Sequence, residues 1–184
     1  MKHLNFKTVS LLLLSLTFSG NPAWADAIPR MKDTVTCTKK PGAKTDGSIQ
    51  VLRERMQQQL KAYNTARFKM SDVLRAMVVD YSLQGYSRKR ILSYAEHFEE
   101  MSKNIPSLDP DTAEYKNFDF RLGMSFASTV IFLNSTEDVL KDFQADQKNP
   151  NSKISKYVIK MDLEAEAYTS LLNELRKKDA ASCA

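Results

Sequence analysis

His97 is the only histidine beyond residue 25, and it stands between Glu96 and Phe98 with no second histidine at helical spacing. A protein zinc site gathers three or four ligands in one cluster, so this pattern indicates none. The chain has no Gly-rich phosphate loop and no Cys-x-x-Cys pair. Nothing in the sequence places a serine beside His97 for nucleophilic catalysis. Glu99 and Glu100 are neighbours on a helical pattern and point apart, as surface acids do. Asp109, Asp111 and Glu114 carry oxygens at a spacing that calcium could use, but their simpler task is to complement the positive end of a helix. Met56, Met70, Met77, Met101, Met124 and Met161 fall at core-like positions. Thioethers can hold copper(I) or haem iron, yet methionine more commonly fills helical cores. The expectation is therefore no catalytic residue, no metal and no cofactor. The alternative is a haem or copper site built on His97 or Met56.

One local rule is broken. Arg88, Lys89 and Arg90 fall in the first turn of an expected helix. There each cation opposes the helix dipole at a cost of a few tenths to about 1 kcal/mol. Together with the basic stretch Arg30, Lys32, Lys39, Lys40 and Lys44, they are the candidate surface for an acidic protein partner, an anionic lipid or a polyanionic polymer.

The rest of the chain must position these groups. Residues 1–25 read as a secretory signal: Lys2 and Lys7, an apolar run from Val9 to Phe18, the breakers Gly20 and Pro22, then Ala23-Trp24-Ala25. The apolar run is about half of what a bilayer span needs. Cleavage is expected after Ala25, which places the product in the periplasm or, as the alternative, outside the cell. Of 184 residues, 159 then remain, the size of a single domain. The 27 basic residues include Lys2 and Lys7, so 25 face 22 acidic ones, a net +3. That mild charge points to no nucleic-acid partner.

Residues 26–47 show no periodicity and form an irregular basic arm, with residues 48–184 as the helical domain. From Ser48 apolar residues step by three and four: Ile49, Leu52, Met56, Leu60, Tyr63, then Met70, Val73, Leu74, Met77 and Tyr81. One long helix to about Leu83 is expected, with a bend at Asn64-Thr65 and a stop at Gly85. Ser87 is expected to cap a second helix carrying Ile91, Tyr94, Ala95, Phe98 and Met101. Asp109 is expected to cap a third, with Pro110 at its first position. Its stripe is Tyr115, Phe118, Leu122, Phe126, Val130 and Leu133, and Asn134-Ser135-Thr136 should break it before Val139. After the loop at Asn149-Pro150-Asn151, Ile154, Tyr157, Val158, Met161, Ala165, Tyr168, Leu172 and Leu175 keep helical spacing. No stretch alternates long enough for a sheet.

Four amphipathic helices with short connections imply an all-α, antiparallel up-down-up-down four-helix bundle. Cys37 and Cys183 are the only cysteines, and in an exported chain they are expected to form one disulfide. In the chain-entropy model such a loop gains roughly 5 kcal/mol. An even number of antiparallel helices would bring the two ends of the chain to the same pole.

The segment Ile105-Pro106-Ser107-Leu108-Asp109-Pro110-Asp111, followed by Glu114-Tyr115-Lys116-Asn117-Phe118, Phe120-Arg121 and Gly123, resembles the start of the third helix of soluble four-helix b-type cytochromes. Met56 falls roughly where that family carries its methionine haem ligand. The family's histidine ligand lies in the last helix, and residues 152–178 contain no histidine. The resemblance therefore implies the bundle rather than the haem. Together, these residues lead to the expectation of a non-enzymatic, exported bundle that is not membrane-spanning and binds another envelope or secreted protein in an adaptor, chaperone-like, stress or toxin-neutralising role.

Overall fold

The computed structural model describes residues 47–181, and these are all-helical with no strand among them. The expected signal segment 1–25, nearly all of the expected arm 26–47, and both Cys37 and Cys183 lie outside the described residues, as does the pairing expected of the two cysteines. Six helices follow one another: α1 (Gly47–Phe68), α2 (Met70–Asp80), α3 (Gly85–Lys103), α4 (Ala113–Ser135), α5 (Glu137–Lys148) and α6 (Lys153–Ala181).

Two of the junctions are single-residue bends. Lys69 separates α1 from α2 while staying in helical conformation; its N–H reaches the Ala66 carbonyl, one residue short of the α-helical partner. The bend thus comes five residues later than Asn64 would place it. Asn64 does not break α1 because its amide is buried and bonded to Tyr115 Oη at 3.0 Å. At the other bend, Thr136 is extended (φ −100°, ψ 114°) and serves as the end of α4 and the start of α5, where the sequence signals a break.

The stop after α2 corrects the expectation of Gly85. Ser82 takes the left-handed conformation (φ 53°). The Leu83 N–H bonds to the Val78 carbonyl and the Ser82 N–H to that of Val79, with Leu83 itself buried. This pairing closes the last turn of a helix and satisfies carbonyls that would otherwise be orphaned. Gly85, also left-handed at φ 54°, opens α3 instead. The start of α4 is corrected too. Asp109 Oδ1 accepts the Asp111 N–H in a local turn, so its side chain is already engaged. Thr112 caps the helix by accepting the Tyr115 N–H at 3.2 Å.

Side-chain pairs fix the directions. Arg53 meets Asp179, Gln59 meets Glu164, Tyr157 donates to the Arg67 carbonyl, and Lys153 meets Asp80. The α1–α2 segment therefore runs antiparallel to α6. Arg75 to Glu99 ties α2 to α3. Ser87 to Asp138, Tyr94 to Phe132 and Phe98 to Phe126 lay α3 antiparallel to α4–α5. The main core includes Leu74, Ile91, Phe98, Leu122, Leu133 and Val139. A separate cluster of Ile49, Leu52, Met56 and Leu175, backed by Tyr168 and Leu171, is built by α1 and α6 alone. Each fully buried Leu, Ile or Phe contributes about 1.5–3 kcal/mol to folding.

Candidate binding surface

Arg88, Lys89 and Arg90 are all exposed in the first two turns of α3. The helix begins at Gly85 behind an extended Gln84 that offers no side-chain cap. Ser87 does not cap it either. Its hydroxyl is buried and donates to Asp138 Oδ1 at 2.8 Å, clamping α3 to α5. Arg90 lies over the Tyr94 ring at 4.7 Å and donates from Nε to Tyr94 Oη. Among the described residues no ion pair engages Arg88, Lys89 or Arg90. The ridge thus keeps its charge for solvent or a partner. Tyr86, 71% exposed, precedes it, and Val79, 72% exposed, lies in the last turn of α2 across the α2–α3 turn. Two large apolar groups and three unpaired cations therefore share one end of the α2–α3 hairpin. Tyr and Arg are the residue types enriched where protein surfaces bind one another.

A second constellation gave no expectation in the sequence. Arg67 is buried in α1, where its Nη1 donates to Asp119 Oδ1 of α4 and lies 3.4 Å from Asn64 Oδ1. Its guanidinium sits over the Tyr63 ring at 4.9 Å, and Tyr63 stacks on Tyr168 of α6 at 5.9 Å. Tyr157 Oη donates to the Arg67 carbonyl at 3.0 Å. Burial opposes the charge on Arg67, but Tyr63 and Asp119 outweigh it and hold the group above its ordinary value. Burial also pushes the Tyr157 phenol up, and pushes Tyr115 up to about 12. Phenols raised in this way are poor bases near neutral pH. The cluster ties α1, α4 and α6 together, and no buried polar side-chain atom among the described residues is left without a partner. The signal for it was present: positions 60, 64, 67, 71 and 74 continue one helix face, and three of them are polar.

The structure places a serine beside His97, a neighbour that no local spacing signals. Ser125 Oγ of α4 lies 3.0 Å from His97 Nε2. The hydroxyl also donates to the Arg121 carbonyl, and it stands in mid-helix. There the neighbouring N–H groups are consumed by the helix, so no donors converge where an oxyanion would form. Met56 is buried in the α1–α6 cluster, whereas His97 is exposed on α3, so the two proposed haem or copper ligands share no cluster. Glu99 forms a two-pronged pair with Arg75, and Asp111 pairs with Arg176. Among the described residues no three His, Cys, Asp or Glu side chains group to hold a metal ion. Nor is any helix among them long and apolar enough to cross a membrane.

No protein-family model matches the chain, and neither does any curated protein or solved structure.

Proposed function

We propose that this chain is a non-enzymatic, exported helical protein that works by binding an acidic envelope or secreted protein through the Arg88–Lys89–Arg90 ridge. The observation that carries this reading is the ridge itself: three cations without ion-pair partners, flanked by exposed Tyr86 and Val79. The expected first-turn placement is corrected: with α3 starting at Gly85 these are its fourth to sixth residues, where the dipole costs little, and no carboxylate among the described residues pairs with them. A partner carboxylate surface would supply the missing charge, steering association and fixing orientation.

In this reading the bends at Lys69 and Thr136 leave four antiparallel legs, an up-down-up-down bundle whose α2–α3 end presents the ridge. Export with cleavage after Ala25 and pairing of Cys37 with Cys183 belong to the same proposal and rest on the sequence alone. The mass of the secreted product, with and without reductant, reads both. Affinity capture from an envelope extract tests the function. The wild-type protein should enrich an acidic partner that elutes with salt, and the triple variant Arg88→Ala, Lys89→Ala, Arg90→Ala should lose it. Equal capture by both proteins would refute the ridge.

A further inference from the structure

His97 and Met101 stand one helical turn apart on α3, so both side chains leave the same face. They converge across the α3–α4 seam on one atom. Ser125 Oγ of α4 lies 3.0 Å from His97 Nε2 and 3.8 Å from Met101 Sδ. The imidazole is exposed, whereas Met101 is buried. Methionine in a helical core ordinarily packs its sulfur among carbons. Here the thioether is turned to a hydroxyl and, through it, to the one histidine of the described residues. The two donors can be no further apart than those two contacts laid end to end. Rotation of the exposed imidazole about its own side-chain bonds shortens that separation without moving either helix.

No polar group is stranded when the imidazole turns. Ser125 has a single hydroxyl proton, and the Arg121 carbonyl accepts it at 3.0 Å. Only lone pairs of Ser125 Oγ then face His97 and Met101. A neutral imidazole with its proton on Nδ1 presents a bare Nε2, the form that binds metals.

The donor set selects the ion. One imidazole and one thioether fall short of the four ligands of zinc and of the oxygens that calcium or magnesium demand. Among the described residues no group of three His, Cys, Asp or Glu side chains stands by to complete such a shell. Thioether sulfur is a soft ligand and favours copper(I), a closed-shell ion that accepts two donors in line. The charges near the pair almost balance. Glu96 and Glu100 are exposed on α3, as are Lys103 on the same helix and Arg121 one turn before Ser125, and Glu99 is taken up by Arg75. The ligand atoms, rather than the field, therefore choose the ion, as suits a monovalent cation.

We infer that His97 Nε2 and Met101 Sδ form a copper(I) site at the α3–α4 seam, with Ser125 Oγ as its polar neighbour rather than a ligand. The site lies about 10 Å along α3 from Arg90, so it is separate from the basic ridge.

Equilibrium dialysis of the full chain against about 10 µM copper(I), kept reduced by ascorbate without oxygen, tests the site. The wild type should retain about one copper per chain by elemental analysis. His97→Gln and Met101→Leu should each weaken retention about tenfold or more, with helical circular dichroism unchanged, since leucine nearly matches methionine in volume. Met56→Leu, in the separate α1–α6 cluster, should retain copper as the wild type does. Copper(I) is diamagnetic, so carbon-13 methionine methyl spectra read the ligand directly: the signal that disappears in Met101→Leu should be the one that shifts. A wild type that retains no copper, retention indifferent to His97→Gln or to Met101→Leu, or a shift at another methionine in its place would each overturn the inference.

Discussion

The Ile49–Leu175 end and the main body draw on the same two helices, α1 and α6, yet they are closed in different ways. At the end only α1 and α6 meet, and the cluster they bury is wholly apolar: Ile49, Leu52, Met56 and Leu175. In the body α2, α3, α4 and α5 join them, and the core admits Asn64, Arg67, Ser71 and Thr129 as buried residues. A two-helix contact has little apolar surface to spare, so an unpaired polar group there would meet water and separate the helices. Enclosure from more sides lets the body satisfy buried polar atoms from another element, as Tyr115 and Asp119 of α4 do for Asn64 and Arg67. The lesson is that polar burial follows the number of enclosing helices, not their length.

The largest expected effect separates the two regions directly. Phe98→Ala in the body should destabilise the protein by about 3–5 kcal/mol in a single cooperative transition. Met56→Ala at the end should instead loosen 47–60 and 168–181 locally, seen as faster amide exchange there with a small change in global melting. If Met56→Ala lowers global stability as much as Phe98→Ala does, the two regions form one cooperative unit.

High pH should strike the body first. A tyrosine whose folded-state pKa is raised contributes stability below its unfolded value, near 10, and loses it as pH rises through the folded value. Tyr115, raised to about 12 chiefly by burial, should account for about 2–3 kcal/mol of that loss. Chemical denaturation between pH 9 and 12 should show the decline, and Tyr115→Phe should make it shallower, the remainder coming from Tyr63, Tyr81, Tyr157 and Tyr168, which burial also raises. An unchanged slope in the variant would mean that folding does not raise the pKa of this phenol.

Removing the buried cation comes next. Arg67→Ala should cost about 1–3 kcal/mol, since it leaves Asn64 short of a partner and uncovers Tyr63. Arg67→Met, which keeps the volume without the charge, should come closer to wild type. Denaturant midpoints of the pair separate charge from packing. The smallest effect concerns Asp162 in α6, whose carboxyl is raised by burial and by Glu166 one turn on. Asp162→Asn should stabilise the neutral-pH protein by about 0.2–0.5 kcal/mol. The penalty it relieves belongs to the ionised form, so the gain should vanish below the carboxylate range.

Much of this architecture is legible in local spacing. The stripe Ile91, Ala95, Phe98 and Met101 is buried as its period requires, and the break at Asn134-Ser135-Thr136 and the loop at Asn149-Pro150-Asn151 fall where the polar interruptions stand. Helix ends were less legible. Gly85 and Asp109 are good stop and cap residues by type, but Ser82 and Thr112 take those tasks because Leu83 is drawn into the core and the Asp109 carboxyl is engaged by Asp111. The Arg88–Lys89–Arg90 ridge was visible as a charge run. Its flanking Tyr86 and Val79 were not, since exposure of a large side chain depends on what the remote chain covers.

The amino-acid sequence by itself determined that residues 47–181 are helical and which residues could face a core, because helical period and turn chemistry act within a few residues. Tertiary structure alone decided which polar groups are buried. Arg67 meets Asp119 and Tyr157 donates to the Arg67 carbonyl across 52 and 90 residues of chain. No local pattern encodes such pairs; they exist only once packing has excluded water and left each buried donor and acceptor to find its partner.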